Sequence, residues 1–337
     1  MGYRVAVAGA SGYVGGELLR LLAAHPGLDV VGAAAHGSAG RLVGDVHPGL
    51  RSLAGMTFSD TTPAALRSAD LVFMALPHGA SAALAADLAD GQKIIDLGSD
   101  HRLTDAEAYA RYYGGPHHAA WTYGLPELPG QRARIATATR VANTGCHAFA
   151  VIIGLAPLVA AGLVDPEDVV AVSASGVSGA GRAPLPNLLG SEVMGDVSAY
   201  KVGVHRHVPE ILQASGARTL SLIPLLAPMP RGILATVTTR PLRSVRVDDV
   251  REILTEAYRD EPFIHLLPAG QQPRTAATAG SNAAHLQAEV DLNSGRIIVT
   301  SAIDNLGKGA AGQALQNANL MLGLPETAGL SIDGVAP

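Results

Sequence analysis

The N-terminal segment, up to Ala35, constrains the fold more than any other part of the chain. An apolar stretch from Tyr3 to Ala8 runs directly into the turn Gly9-Ala10-Ser11-Gly12-Tyr13-Val14-Gly15. We predict a helix from about Tyr13 to His25 and a second strand from Leu28 to Ala35. This order of strand, glycine turn, helix and strand is typical of a dinucleotide-binding βαβ unit, in which backbone N–H groups at the helix start bind the pyrophosphate.

The residues around this turn indicate where a dinucleotide would bind and which one it would be. The spacing G-x-x-G-x-x-G differs from the commoner G-x-G-x-x-G, but its position between a strand and a helix favours the same role. No Asp or Glu, the usual ligand of the NAD ribose, stands between Ala33 and Arg41. We therefore expect NADP(H), with a solvated glycine loop as the alternative. The expected contacts are Gly9, Ser11, Gly12, Tyr13 and Val14 at the turn, and Ser38 and Arg41, with His36 as an additional candidate, at the 2′-phosphate.

Further strands and helices alternate along the first part of the chain. We predict strands from Ala69 to Leu76 and from Lys93 to Leu97, with a helix from Ala80 to Ala89 between them. This alternation indicates an α/β fold with a doubly wound parallel sheet of the Rossmann type, which binds ligands at the carboxyl ends of its strands. His78 and Ser99 follow two of those strands and are expected at the cofactor. For His78, a loop residue without a ligand is the alternative.

Cys146 is the only cysteine of the chain. We predict a strand from Arg134 to Val141 before it and a buried helix from Ala148 to Ala161 after it. A helix N-terminus favours a thiolate, which makes Cys146 a candidate nucleophile; a small buried hydrophobic residue is the alternative. A thiol nucleophile requires a nearby base, and His205-Arg206-His207 is the candidate segment.

The alternation of predicted strands and helices ends after Gly162. Strands now follow one another with few helices between them, which indicates an α+β domain with a mixed or antiparallel sheet. The turn Asn293-Ser294-Gly295 predicts a hairpin between the last two strands. The expected strands are Val169 to Ser175, Leu220 to Leu226, Ile233 to Thr239, Leu286 to Leu292 and Ile297 to Ala302, and the expected helices are Pro209 to Ala214 and Val247 to Tyr258.

Two segments of the second part of the chain are expected to contact the cofactor or the first domain. The Gly/Ser-rich loop from Gly176 to Arg182 is rich in hydrogen-bond donors, so we expect Ser178 and Gly179 to contact the cofactor; a flexible loop is the alternative. An amphipathic helix is expected from Lys308 to Leu322 and would pack back on the first domain. We therefore predict a dinucleotide-binding domain of residues 1–145 with 308–337 and a catalytic and oligomerisation domain of residues 146–307.

The composition excludes several classes of protein. A net charge of −5 provides no basic surface for nucleic acid or anionic membranes. A lone cysteine excludes a disulfide framework and fits a reducing compartment. The N-terminus lacks a signal peptide's apolar region, and no apolar run reaches about 20 residues. His117-His118 lacks partners at metal-binding spacing, so no metal is expected. We predict a cytoplasmic protein.

Beyond these patterns, the sequence resembles the N-acetyl-γ-glutamyl-phosphate reductase family, relatives of aspartate-semialdehyde dehydrogenase, along nearly its whole length. Two departures from the family pattern are Thr144, where proline is more frequent, and His147, where tyrosine is frequent. The segments that carry the resemblance are GASGYVGGELLRLL from Gly9, DLGSDHRL from Asp96, YGLPEL from Tyr123, NTGCH from Asn143, SGVSGAGR from Ser175, HRHVPEI from His205, PMPRGILAT from Pro228 and DNLGKGAAGQALQN from Asp304.

The resemblance implies a reaction and roles for single residues. Cys146 would attack the acyl phosphate and release phosphate, and NADPH would reduce the thioester to N-acetylglutamate semialdehyde. One of His205 and His207 would be the base, with a slight preference for His207 because the following helix would anchor it. Backbone N–H groups near Cys146, with the Asn143 side chain, would bind the oxyanion. Asn305 would contact the nicotinamide.

Arginine side chains would bind the substrate's phosphate or carboxylate, because guanidinium binds both bidentately. Arg182 and Arg231 are candidates, each with an ordinary surface salt bridge as the alternative. Arg206 would hold the substrate together with the histidine that is not the base. The expected partners are the small-molecule substrate and phosphate, with no nucleic acid and no membrane. We expect a homo-oligomer, either a dimer or a tetramer.

Three other functions fit some of the same residues. A related reductase acting on another acyl phosphate, such as aspartyl phosphate, would share Cys146 and NADPH. A non-catalytic NADP-binding redox sensor would oxidise Cys146, but it would need a second, resolving cysteine that the chain lacks. A purely structural Cys146 leaves the His205-Arg206-His207 segment without a role.

Overall fold

The computed structural model describes residues 2–89 and 91–335. Its contacts divide the chain into two compact units. The first unit consists of Met1–Ala106, Gly115–Thr144 and Ala310–Leu330, and the second of Glu107–Gly114, Gly145–Gly309 and Ser331–Pro337. The sequence predicted domain boundaries at 145/146 and 307/308. The observed units change at 144/145 and 309/310, and residues 107–114 and the segment after Leu330 also belong to the second unit.

The first unit is built on a parallel sheet, which in the described residues has six strands in the order β2-β1-β3-β4-β6-β5. Every neighbouring pair in it is parallel. The N-terminal βαβ unit forms as the sequence predicts, because its alternation of apolar segments and glycine turn is local. The strands are β1 (Tyr3–Ala8), β2 (Leu28–Ala34), β3 (Leu71–Met74), β4 (Lys93–Asp96), β5 (Thr122–Gly124) and β6 (Arg140–Asn143).

Helices pack on this sheet and complete the first unit. The last of them, α12, contacts α1, α6 and strands β4, β5 and β6, so the end of the chain returns to the unit formed by its beginning. The helices are α1 (Tyr13–Ala23), α2 (Val43–Val46), α3 (Pro63–Leu66), α4 (Ser81–Ala86), α6 (Gln131–Thr137) and α12 (Gly312–Met321), with α5 (Ala106–Tyr112) lying almost entirely in the second unit.

The second unit is built on a mixed sheet, with seven strands in the described residues, in the order β11-β12-β13-β10-β7-β9-β8. Strands β11 and β12, and β7 and β9, pair in parallel, whereas the other neighbours are antiparallel. The strands are β7 (Val164–Ser175), β8 (Ser198–Ala199), β9 (Ser221–Leu226), β10 (Ile233–Pro241), β11 (Ile264–Leu266), β12 (Ala284–Val290) and β13 (Ile297–Ile303). The predicted hairpin joins β12 and β13, and Gly295 in its turn has a φ of +69°.

Helix α7 (Cys146–Ala160) lies at the centre of this unit and packs on β7, β10 and β13. Its side chains are buried on almost all sides, which explains the long apolar sequence. The other helices are α8 (Gly190–Val193), α9 (Val208–Ser215), α10 (Val247–Tyr258) and α11 (Thr275–Thr278), and a π-helical turn spans Gly307–Ala311. The predicted combination of a Rossmann-type parallel sheet and an α+β unit with a mixed sheet is confirmed.

Two sequence predictions of secondary structure are wrong. The strand expected from Arg134 to Val141 begins only at Arg140, because Gln131–Thr137 is helix α6, which buries Ile135 and leaves most of its other side chains toward solvent. The C-terminal helix is not amphipathic. Its polar side chains are as buried as its apolar ones, among them Gln313, Gln316, Asn317 and Asn319. In the described part of the chain, no helix is long and apolar enough to cross a membrane.

Candidate active site

The glycine turn after β1 is tight and depends on its glycines. Gly9 has a φ of +79°, and a Cβ there would lie 2.2 Å from the Ala75 carbonyl oxygen. A Cβ on Gly15 would lie 2.3 Å from the Gly9 oxygen. Only glycines permit this close turn, and it leads directly into the N-terminus of α1, whose first turn carries no acidic residue. The turn therefore fits a dinucleotide, with Ser11, Gly12, Tyr13 and Val14 at the helix start.

The loop after β2 holds the candidate 2′-phosphate residues in an ordered conformation. Ser38 ends a 3₁₀ turn. The Arg41 backbone N–H donates to the Ser38 carbonyl, and the Arg41 carbonyl accepts the Phe58 N–H. The Arg41 side chain is exposed. A carboxylate does reach this loop, contrary to the expectation from the local sequence, because Asp60 Oδ1 lies 2.8 Å from His36 Nδ1. The hydrogen bond from His36 lowers the pKa of Asp60.

Residues after β3 and β4 form a small polar cluster at the carboxyl edge of the first sheet. His78 Nδ1 lies 2.8 Å from Ser99 Oγ and 3.1 Å from Asp100 Oδ1. The fully buried Asp100 also accepts backbone N–H groups of Gly79, Ser81 and Ala82 at the start of α4. Of the predicted cofactor residues, the structure therefore brings His78 and Ser99 together, and Asp100 orients His78.

Asn143 ends β6 and is buried. Its Nδ2 donates to the Ala310 carbonyl at 3.1 Å, and its Oδ1 accepts from Asn317 Nδ2 at 2.9 Å. Thr144 follows and donates through its hydroxyl to the Gly124 carbonyl. The side chains of Asn143 and Thr144 thus hold this segment within the first unit. The Asn143 amide, which was expected to bind an oxyanion, is bonded instead to Ala310 and Asn317.

Cys146 is the first residue of α7 and is partly exposed. The backbone N–H of the preceding Gly145 donates to Glu210 Oε1 at 2.8 Å, and Glu210 is fully buried on α9. Gly309 packs closely against the cysteine, because a Cβ at that position would lie 2.9 Å from Cys146 Cβ. The thiol therefore lies at the positive end of a buried helix dipole, with little freedom of its backbone.

His147 is the next residue, and it is buried between two hydroxyl groups. Its Nδ1 lies 2.6 Å from Ser173 Oγ, and its Nε2 lies 2.8 Å from Tyr200 Oη. Burial, with a smaller contribution from His205, lowers the pKa of His147 to about 3, so the ring is neutral at physiological pH. Burial also raises the pKa of Tyr200, and the nearby charge of Cys146 raises it further.

His205 and His207 complete a group of three imidazoles with His147. The ring centroids of His205 and His207 are 4.8 Å apart, and those rings lie 5.3 and 5.9 Å from the His147 ring. His205 Nδ1 accepts the backbone N–H of His207, which orients the His205 ring. Burial first, and then the charges of Lys201 and Arg206, lower the pKa of His205 to about 4.

The predicted substrate arginines differ in their surroundings. Arg231 Nε lies 2.7 Å from Oδ2 of the fully buried Asp304, so its ion pair is not an ordinary surface pair. The Arg206 guanidinium lies over the Tyr113 ring at 5.7 Å and is partly buried. Arg182 is exposed at the end of its loop.

That glycine- and serine-rich loop is ordered, because backbone bonds join Gly176, Val177 and Ser178 to the segment from Met229 to Gly232. Asn305 Nδ2 donates to Ser178 Oγ at 3.0 Å, and Asn305 Oδ1 accepts the Gly232 N–H. Two predicted cofactor residues from distant parts of the chain, Ser178 and Asn305, thus contact each other, with Gly179 exposed beside them.

Comparison with known proteins shows the family of the chain. Family models described as the semialdehyde dehydrogenase NAD binding domain and dimerisation domain match residues 4–138 and 146–305. The chain is 63% identical over 337 residues to an N-acetyl-gamma-glutamyl-phosphate reductase of Salinispora tropica, with 100% of both chains covered. It is 59% identical over 343 residues to the enzyme of that name from Acidothermus cellulolyticus, again with 100% of both covered.

The chain belongs to the N-acetyl-gamma-glutamyl-phosphate reductase family. Like the semialdehyde dehydrogenases that its family models describe, it is an oxidoreductase that binds a nicotinamide dinucleotide.

Solved structures extend the likeness in fold beyond this reductase family. A probable aspartate-semialdehyde dehydrogenase from Pseudomonas aeruginosa aligns with a TM-score of 0.71 at 22% identity, covering 96% of this chain and 99% of that one. The aspartate semialdehyde dehydrogenase of Candida albicans, solved with NADP, aligns with a TM-score of 0.71 at 16% identity, with 96% and 99% covered.

The structure adds several residues to the candidate site of this reductase family member that the sequence did not single out. Tyr200, Ser173 and Asp60 carry no local pattern, and each reaches its partner through the tertiary fold. Asp100 stands inside the DLGSDHRL segment, directly after Ser99. Glu210 stands inside the HRHVPEI segment, only three residues after His207. A carboxylate on the buried face of a helix was a signal that could have identified it.

Proposed function

We propose that the chain reduces N-acetyl-γ-glutamyl phosphate to N-acetylglutamate semialdehyde, with NADPH as the reductant and inorganic phosphate as the second product. The observation that carries this proposal is the partly exposed Cys146 at the N-terminus of α7. His205 and His207 follow in the same unit, with a ring of each beside His147. The 63% identity to a reductase of this name supports the choice of substrate.

The first chemical step forms a thioester on Cys146. The base, His205 or His207, takes the thiol proton, and the thiolate sulfur attacks the acyl carbon. The bond from that carbon to the phosphate oxygen breaks, and inorganic phosphate leaves. Because the Asn143 amide is bonded to Ala310 and Asn317, backbone N–H groups at the start of α7 are better placed to bind the oxyanion.

The second step reduces the thioester. The reduced nicotinamide supplies a hydride to the thioester carbon when it is bound. The resulting oxyanion collapses to the aldehyde, the carbon–sulfur bond breaks, and the Cys146 thiolate is regenerated. Asn305 and Ser178, held together by their hydrogen bond, orient the nicotinamide, and Arg182, Arg206 and Arg231 bind the anionic groups of the substrate.

NADP(H) is preferred over NAD(H) because Ser38 and Arg41 bind the 2′-phosphate. The exposed Arg41 guanidinium supplies the charge for this contact. Asp60 would oppose it, but its carboxylate is bonded to His36, which reduces its repulsion of a phosphate. We also propose that the second unit forms a homo-oligomer and that the enzyme works in the cytoplasm.

The test is an assay of the reverse reaction. N-acetylglutamate semialdehyde should support phosphate-dependent reduction of NADP⁺, whereas aspartate semialdehyde at the same concentration should support little. Omission of phosphate should abolish the signal, because phosphate cleaves the thioester in this direction. Equal or faster turnover of aspartate semialdehyde would overturn the substrate assignment while retaining the cysteine chemistry.

A further inference from the structure

Asp304, the first residue after β13, is a fully buried carboxylate that the proposed reaction does not use. Its Oδ1 accepts the backbone N–H groups of Leu306 and Gly307 at 2.9 and 3.1 Å. Its Oδ2 accepts the Gly280 N–H at 2.6 Å and forms the ion pair with Arg231 Nε at 2.7 Å. Each oxygen thus contacts two nitrogen atoms, which compensates the cost of burying the charge.

The turn that Oδ1 holds lies directly against the nucleophile. The Gly309 N–H donates to the Asp304 carbonyl oxygen at 2.9 Å. A Cβ on Gly309 would lie only 2.9 Å from Cys146 Cβ and 3.2 Å from the same Asp304 oxygen. Asn305, which is expected to contact the nicotinamide, belongs to this turn. Its position relative to Cys146 therefore depends on the shape that Asp304 gives the turn.

Two consecutive residues before β10 bind two consecutive residues of this turn. Arg231 pairs with Asp304, and the Gly232 N–H donates to Asn305 Oδ1 at 2.6 Å. Because Asn305 Oδ1 is occupied by this donor, its Nδ2 is the group that faces Ser178 Oγ, at 3.0 Å. The double link fixes both the position of the Asn305 amide and the direction in which its N–H groups point.

We infer that Asp304 is a positioning residue for hydride transfer, which holds the Asn305 amide at a fixed place relative to Cys146. The inference rests on the proposed function, since it concerns the second step of the same reaction. A misplacement of about 1 Å at a reacting group can cost about a hundred-fold in rate, so this step depends on such an anchor. Stability alone is a weak reason for the carboxylate, because a buried ion pair adds little net stability.

In the reverse reductase assay, Asp304→Asn should affect the chemical step more than substrate binding. We expect kcat to fall about ten-fold or more, and by a larger factor than KM for the semialdehyde rises. Deuterium at the aldehyde carbon should slow the variant more than the wild type, because hydride transfer then limits turnover more strongly. A rise in KM at constant kcat would assign Asp304 to substrate binding through Arg231 and would overturn the inference.

Cofactor binding tests the inference without any acyl substrate, so it can fail separately from the proposed function. Kd is measured for NADPH and for adenosine 2′,5′-bisphosphate, which lacks the nicotinamide. Asp304→Asn keeps an oxygen toward the turn but presents an N–H to the donors of Gly280 and Arg231, whereas Asp304→Ala removes the acceptor from all four contacts. Kd for NADPH should rise about five-fold in the first variant and about ten-fold or more in the second. Kd for the bisphosphate should stay at the wild-type value.

Two further variants separate positioning from a general loss of structure. Asp291→Ala removes another turn carboxylate, which accepts the N–H groups of Asn293 and Ser294 at the opposite end of β13. As the matched control it should change neither Kd. Asn305→Ala removes the amide through which Asp304 acts, so Asp304→Asn/Asn305→Ala should bind NADPH no more weakly than Asn305→Ala. Multiplying losses in the double variant, equal weakening of both ligands by Asp304→Asn, or an unchanged Kd for NADPH would each refute the positioning role.

Discussion

Glu210 accepts the backbone N–H of Gly145 across 2.8 Å. Gly145 is the residue before Cys146, and Glu210 lies on α9, three residues after His207. The contact fixes the start of the nucleophile's helix to the helix that follows the candidate bases. Helices α7 and α9 also pack against each other. Together, the hydrogen bond and this packing fix the position of the nucleophile relative to the candidate bases.

The Glu210 contact should be important for stability. In Glu210→Ala the buried Gly145 N–H loses its acceptor, so the free energy of unfolding should fall by about 1–3 kcal/mol. Glu210→Gln keeps an acceptor oxygen in the same place and should lose less. Urea unfolding of the three proteins measures the difference. Equal stability of Glu210→Ala and the wild type would show that water replaces the carboxylate.

Replacement of the nucleophile should abolish turnover and leave cofactor binding unchanged. Cys146→Ser should lose several orders of magnitude in kcat, on the order of the loss when other covalent nucleophiles are removed. Fluorescence titration with NADPH checks that the dinucleotide still binds. Iodoacetamide should inactivate the wild type, and substrate should protect it. Near-normal turnover of the serine variant would exclude covalent catalysis by Cys146.

The choice between the two nicotinamide cofactors should depend on Arg41. Loss of a charge-assisted hydrogen bond costs about 1.5–3 kcal/mol, so Arg41→Ala should raise KM for NADPH about ten-fold or more. KM for NADH should hardly change, because NADH has no 2′-phosphate. Arg51→Ala, at another exposed arginine of the same unit, is the matched control and should change neither constant. Equal weakening of both cofactors by Arg41→Ala would contradict the assignment.

The pH–rate profile should identify the general base. His205 has a pKa lowered to about 4 by burial and by Lys201 and Arg206, so it is already deprotonated through the neutral range. An acid limb near neutral pH should therefore belong to His207 and its coupling with the thiol. His207→Asn should lower kcat and flatten that limb, whereas His205→Asn should mainly raise KM. A limb that disappears only in His205→Asn would reverse the two roles.

Burial of His147 should make the protein less stable in acid. Its pKa is about 3 when folded and near 6.5 when unfolded. The unfolded chain therefore binds more protons, and stability present above pH 6.5 is lost as the pH falls. From pH 7 to pH 5 this one group should remove about 2 kcal/mol.

His147→Gln lacks this proton and should lose correspondingly less stability over the same interval. Tyr200→Phe, which retains the histidine, should follow the wild type. Urea unfolding at both pH values measures the three proteins. A wild-type pH dependence in His147→Gln would show that the ring is not the group responsible.

Local patterns predicted the fold well where neighbouring residues determine the structure. The turn at Gly9 and the helix from Val247 to Tyr258 formed as expected, because periodicity and glycine act over a few residues. Arg134 to Thr137 was misassigned because its β-branched and apolar residues fit a strand as well as a one-sided helix. Burial of Ile135, the one fully buried side chain of α6, decides between them.

Partners that are distant in the sequence explain the remaining differences between the predicted and the observed structure. Gln316 and Asn319 indicated a solvated helix face, but Gln316 donates to Glu127 and Glu326, and Asn319 contacts His25. Lys308 is buried with its ammonium 5.1 and 5.0 Å from the ring centres of Phe149 and Phe263. A single sequence does not show such partners. Tyr200 and Asp60 were not predicted as site residues for the same reason, because His147 and His36, which they contact, are distant in the sequence.

The return of α12 to the first unit has a consequence for biosynthesis. The apolar core of that unit joins Val5 and Leu18 to Ala314, Leu315 and Leu322. A ribosome that has completed the parallel sheet has therefore not yet made the helix that covers part of it. The first unit is therefore completed only after residues 145–309 have been translated, and a nascent chain exposes this surface until α12 emerges from the exit tunnel.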